Sequence, residues 1–174
     1  MTMPREVRSN FVRDTSAQGL PTIPPSKNAE GFLELVFEPT LRIVELTRRY
    51  VEELYGGASA ALSVTAHELL ENLAKHASPG EARFSIRVSY LGGRPIIVVR
   101  TRNKATGEHI ENLQRVVAAI DAAADPKQHY ASLLKQSRTG GDLPLGLARV
   151  RADSNLVLSV QRTREEVTVM ANSR

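Results

Sequence analysis

The stretch His67-Glu68-Leu69-Leu70-Glu71-Asn72-Leu73-Ala74-Lys75-His76-Ala77 gathers the residues of this chain best able to do chemistry. Glu68, Asn72 and Lys75 stand at i, i+4 and i+7. On a helix, one stripe would therefore present a carboxylate, an amide and an ammonium, while Leu69, Leu70 and Leu73 face a core. A magnesium–triphosphate site needs those groups: a hard oxygen for the metal, a cation near the phosphates, and a carboxylate that orients or deprotonates an attacking hydroxyl. Asn72 would give its carbonyl oxygen to the metal, Glu68 would act as base, and Lys75 would meet phosphate charge. On spacing alone the alternative is a solvated helix face closed by an i, i+4 Glu71–Lys75 pair.

Other chemistries find less support. His67-Glu68-Leu69-Leu70-Glu71 lacks the second histidine of a zinc-binding H-E-x-x-H motif, and His76 lies too far along to complete it. Ser63, Ser85 and Ser89 have no glycine elbow and no recognisable histidine–acid pair, so serine-hydrolase chemistry is not supported. With no cysteine there is no disulfide framework, thiolate metal site or cysteine nucleophile. Arg100 and Arg102 share a face of any strand that reaches them, with Lys104 just beyond. Such a row can meet phosphate or an acidic partner, or it can be the wet edge of a strand.

Patterning places these residues on elements. Gly31 to Phe37 reads as a short apolar strand ended by Pro39, and Thr40 can cap a helix over Leu41–Tyr55 with Ile43, Leu46, Tyr50 and Leu54 on one stripe. Gly56-Gly57 stops that helix, and Ser59 can cap a second one running to Ala77, which carries the polar stripe. Arg83–Tyr90 and Pro95–Thr101 form a hairpin turned at Gly92-Gly93. A third helix spans Thr106–Ala123, and Asp125-Pro126 opens a fourth that ends near Gln136. A glycine loop, Ser137 to Asp142, precedes a short helix over Leu143–Ala152. Asn155–Gln161 and Glu166–Ala171 then close a second hairpin. Consecutive hairpins disfavour a doubly wound parallel sheet. The expectation is an α+β two-layer sandwich, a mixed sheet of about five strands with helices on one face.

The run His67 to Ala77 resembles the asparagine box, H-E-x-x-x-N-x-x-K-H, of the GHKL superfamily, the Bergerat-fold ATPases that include histidine-kinase catalytic domains and anti-sigma-factor kinases. The order of elements matches that family over nearly the whole body. The resemblance implies a histidine-kinase-like ATPase fold and a magnesium–ATP cofactor, with Asn72 as metal ligand, Glu68 as catalytic carboxylate and Lys75 as phosphate contact. The family's glycine box, G-x-G-L-G-L, corresponds to Gly140-Gly141-Asp142-Leu143-Pro144-Leu145-Gly146-Leu147, which implies phosphate binding at Gly140, Gly141 and Gly146. Here Asp142 and Pro144 occupy the places of the two earlier glycines. One brings negative charge toward the phosphates and the other removes an amide donor.

A third family motif, D-x-G-x-G after the hairpin, holds adenine through its aspartate. No acidic residue lies between Glu81 and Glu108. Losing that charge-assisted acceptor costs about 1.5–3 kcal/mol. Asn103, whose side-chain carbonyl also accepts, is the nearest substitute and the implied base contact. The nucleotide motifs are thus degenerate.

Length and charge bound the rest. The chain has 174 residues, enough for one core, and a net charge of +4. Residues 1–29 read as a flexible, proline-containing arm in which Arg5, Arg8, Arg13 and Lys27 outweigh Glu6 and Asp14. Residues 30–174 form the domain. No apolar run approaches a membrane span and the start lacks a secretion signal, so a cytoplasmic, membrane-free protein is expected. With no Trp and few other aromatics to stack bases, nucleic-acid binding is unlikely and rests only on the basic arm.

The anti-sigma-factor and Sia-type small-kinase branch suits a stand-alone domain. It implies a bacterial partner-switching regulator that binds a sigma factor or small antagonist protein, and pairing as a homodimer. The leading reading is action by protein–protein interaction with a decayed ATP site. The alternative is an active serine/threonine protein kinase acting on such an antagonist.

Overall fold

A computed structural model describes residues 31–55, 60–91, 94–138, 143–154 and 156–173. The expected arm, the caps at Gly56-Gly57 and Ser59, the hairpin glycines and the loop bearing Gly140, Gly141 and Asp142 lie outside those residues.

In chain order the elements are β1 (Gly31–Phe37), α1 (Leu41–Tyr55), α2 (Ala60–His76), β2 (Ala82–Leu91), β3 (Arg94–Lys104), α3 (Gly107–Asp121), α4 (Pro126–Ser137), α5 (Leu145–Ser154), β4 (Val157–Thr163) and β5 (Glu166–Asn172). The strands form one five-stranded sheet in the order β1-β2-β3-β5-β4. The α+β two-layer class is as expected, with one difference: every pairing is antiparallel, so the sheet is not mixed. The cause is topological, because each strand that lies beside a sequence neighbour meets it through a hairpin or a returning helical segment that reverses direction.

Local chemistry sets the helix starts. The Thr40 hydroxyl accepts from the Ile43 amide, and the Thr106 hydroxyl accepts from the His109 amide at the head of α3. Asp125 accepts from the Lys127 and Gln128 amides at 2.9 and 3.0 Å, with Pro126 in the first turn of α4. The β4–β5 turn carries Arg164 at φ 56°, a left-handed conformation for a side chain that remains exposed.

Strand alternation sends Leu33, Phe84, Ile86, Val99, Val167, Val169 and Ala171 into the core, where Leu62, Ala66, Leu69 and Leu70 of α2 meet them. From α3, Ile110, Leu113, Val117 and Ile120 complete the same core. α2 packs on β3, α3 on β4, and α5 sits among α2, α3 and α4, while α1 rests on α2. Helices thus cover the face of the sheet into which those apolar side chains point. The opposite face carries the alternate residues of each strand.

Candidate functional site

The polar stripe of α2 divides once its neighbours are in place. Glu71 and Lys75 face outward and pair at 2.8 Å, with His67 3.9 Å from Glu71. The hydrogen bond from Lys75 holds the Glu71 carboxyl below its ordinary range, against the opposing effect of partial burial. Lys75 therefore sits in the i, i+4 pair that spacing allowed, on an exposed flank of the helix. His67 Nδ1 is buried and has no hydrogen-bond partner among the described residues.

Glu68 turns the other way, into the α2–α5 interface, where it is 9% exposed. Its Oε1 accepts from Arg149 Nη1 at 3.2 Å. Arg149 also donates through Nε to Asp153 at 3.2 Å. Partial burial works against the charge of Arg149, but the Asp153 and Glu68 carboxylates outweigh it and hold the guanidinium more firmly protonated. The other carboxylate oxygen, Oε2, lies so close to Gly146 that a Cβ there would collide with it and stand 3.4 Å from the carboxyl carbon. Gly146 is thus the residue that lets α5 close on Glu68.

Pro144 has no amide hydrogen, and its carbonyl accepts from Ala148 at 3.1 Å. The Leu145 amide is taken by the Leu143 carbonyl at 2.8 Å. The carboxylate of Glu68 occupies the space beside the first turn, where the helix dipole favours negative charge. α5 is further fixed by Arg151, 4% exposed, whose Nε donates to Asp121 at 3.1 Å.

Asn72 lies on the next turn of α2 and lines a small cavity between α2, α3, β3 and β5. Thr101, Asn103, His76 and His109 share that cavity. Asn103 points inward from β3 opposite Val167 and is 7% exposed. Its Nδ2 donates to the Lys104 carbonyl at 2.8 Å, and the same carbonyl accepts from the Ser78 amide at 2.9 Å. This tie anchors the segment after α2 to the end of β3. The imidazole rings of His76 and His109 stack with centroids 4.9 Å apart and 22° between planes. Burial, then the neighbouring His76 charge, lowers the pKa of His109.

The structure thus brings Asn72 and Asn103 to one cavity, places Glu68 and Gly146 against each other in a different contact, and leaves Lys75 outside both. Gly140 and Gly141 are not among the described residues. Arg149 and His109 belong to the site although the sequence did not single them out for it, and His76 enters it as the last residue of the asparagine-box resemblance. Arg149 lies 81 residues from Glu68, beyond any periodicity that could link them.

The cavity beside Asn72 measures about 20 Å³, room for one water. Pockets for nucleotide-sized ligands run to about 300 Å³ or more. No cluster of three or more His, Cys, Asp or Glu side chains suited to a metal occurs among the described residues. Among the described residues, Asn72 is the one oxygen donor of its stripe facing the cavity, and the carboxylate of Glu68 is held by Arg149.

No protein-family model matches the chain, and no curated protein matches its sequence. A chain of the crystal structure of the SiaB–SiaC complex from Pseudomonas aeruginosa is similar to it in fold, with a TM-score of 0.57 and 16% identity, covering 80% of this chain and 88% of that one. The likeness is one of fold. No helix among the described residues is long and apolar enough to cross a membrane.

Proposed function

We propose that this chain is a regulatory protein that works by binding another protein, in the manner of a partner-switching component, and that its nucleotide site has closed. One observation carries the reading: the carboxylate that would serve as base is taken by Arg149 and wedged against Gly146. A phosphotransfer base must reach a substrate hydroxyl, and Glu68 instead neutralises a helix–helix contact. The fold it shares with a chain of a two-protein bacterial complex supports a protein partner. The partner class is a sigma factor or small antagonist protein.

The test is calorimetric titration with magnesium–ATP. No heat of binding at millimolar nucleotide is the expected result, and saturable binding would overturn the closed-site reading. One observation favours a second reading, an active serine/threonine kinase: Asn72 and Asn103, the residues that resemblance assigns to metal and base, face the same cavity. On that reading, saturable binding would appear and Asn72→Ala would remove its magnesium-dependent part.

A further inference from the structure

The basic row Arg100, Arg102 and Lys104 does not lie on the rim of the sheet. β3 runs through Lys104 and is the middle strand of five, with β2 on one side and β5 on the other. The row points to the face opposite the helices, because Val99, Thr101 and Asn103 alternate with it into the core. Cross-strand register extends it. Arg102 stands opposite Arg83, Arg100 opposite Ser85 and Met170, and Arg87 opposite Phe32 and Val98.

Two of these arginines are already neutralised, Arg83 by Glu81 and Arg102 by Glu166. Arg87, Arg94, Arg100 and Lys104 carry no ion pair among the described residues. The Arg87 guanidinium lies 5.6 Å from the Phe32 ring centroid, and Phe32 is 49% exposed. Among the described residues no element packs on this face, which combines arginines without an ion pair, an exposed aromatic, a methionine and β-branched residues with a single exposed carboxylate on β1, Glu34, a composition suited to an interface.

From this arrangement we infer that the open face of the sheet, centred on Arg87, Arg100 and Phe32, docks a protein partner whose surface is acidic with apolar side chains between the charges. The inference rests on the proposed mode of action and names the surface that would carry it. Charge complementarity selects the occupant. A second copy meeting this face by two-fold symmetry would set one net-positive face against another, since its basic side chains outnumber Glu34 and Glu166. A single-stranded nucleic acid needs successive aromatic platforms, whereas here Phe32 stands opposite Arg87 with Glu34 next along the same face of β1. The face lies across the sheet from Glu68 and Asn72, so docking leaves the α2–α5 contact untouched.

The test measures fluorescence anisotropy of a short labelled peptide in which glutamate and leucine alternate, beside an all-glutamate peptide of equal length and single-stranded DNA of equal charge. The expected result is binding of the alternating peptide, tighter than of the other two, and roughly tenfold weaker in Arg87→Glu or Arg100→Glu, the scale of losing one interface arginine. Arg87→Gln and Arg100→Gln serve as milder replacements should the reversals disturb folding. No peptide binding, binding unchanged by reversal, DNA binding as tight as the peptide, or a dimer that dissociates on reversal would each overturn the inference. Magnesium–ATP titrated into the same protein separates the two failures: heat there counts against the closed site alone, and a silent peptide counts against the face alone.

Discussion

Arg149 of α5 donates to Glu68 of α2 at 3.2 Å, and Gly146, one turn earlier on α5, leaves the second carboxylate oxygen just enough room. The two contacts make the carboxylate part of how two helices pack. Four further consequences can be measured.

Gly146→Ala would drive a methyl group into Glu68 Oε2. The expected loss is about 1–3 kcal/mol of stability, the range for overpacking. In a Glu68→Ala background the clash disappears, and alanine gains about 0.8–1 kcal/mol of helix propensity over glycine. The same substitution should then be neutral or stabilising. Urea unfolding of the four proteins checks the sign reversal.

The Glu71–Lys75 pair is half exposed, so Lys75→Ala should cost no more than about 0.3–0.5 kcal/mol, less with added salt. Because the folded pKa of Glu71 lies below 4.5, its contribution is complete above that value and lost as pH falls through the folded one. Lys75→Ala should make this acid limb of the stability profile shallower.

Burial and His76 lower the pKa of His109, so the folded chain binds its proton less readily than the unfolded chain. Stability from this site is complete above 6.5 and declines as pH falls below it. His76→Gln removes the repulsion and leaves the burial, so the decline should flatten without vanishing. Urea midpoints on either side of pH 6.5 read it.

Asn103→Asp places a carboxylate where the resembled family has its adenine contact. Here it replaces a bond to the Lys104 carbonyl at a position 7% exposed. A cost of about 1–3 kcal/mol is expected near neutral pH. Burial raises the folded pKa of such a group, so the cost should grow as pH rises through the unfolded value and shrink in acid. No response to magnesium–ATP should accompany it.

Much of the fold was legible in local chemistry. Thr40 and Gly56-Gly57 bounded α1 at Leu41 and Tyr55, but Leu46 and Tyr50 of its expected stripe are exposed while Thr47 and Val51 are buried; Thr106 and Asp125-Pro126 marked the heads of α3 and α4. The strand expected over Pro95–Thr101 runs from Arg94 to Lys104, taking in Arg102 and Lys104. In the sheet they point to the open face while Asn103 continues the inward row to a buried position.

The site was legible only as a stripe. Spacing on a helix fixes where Glu68, Asn72 and Lys75 leave the backbone, but what packs over each decides its role. α5 arrived over Glu68, β3 and α3 over Asn72, and solvent over Lys75. Arg149 could not be paired with Glu68 from sequence, since only the tertiary fold brings them together.

The most direct test of the account is the stability of Glu68→Gln measured by urea unfolding, together with Arg149→Ala and the double variant. A carboxylate that neutralises Arg149 should cost about 1–3 kcal/mol when replaced, with the double variant less destabilised than the sum of the two. A carboxylate kept free for catalysis commonly leaves the protein as stable or more stable when removed. Unchanged or increased stability in Glu68→Gln, with no coupling to Arg149, would contradict the account.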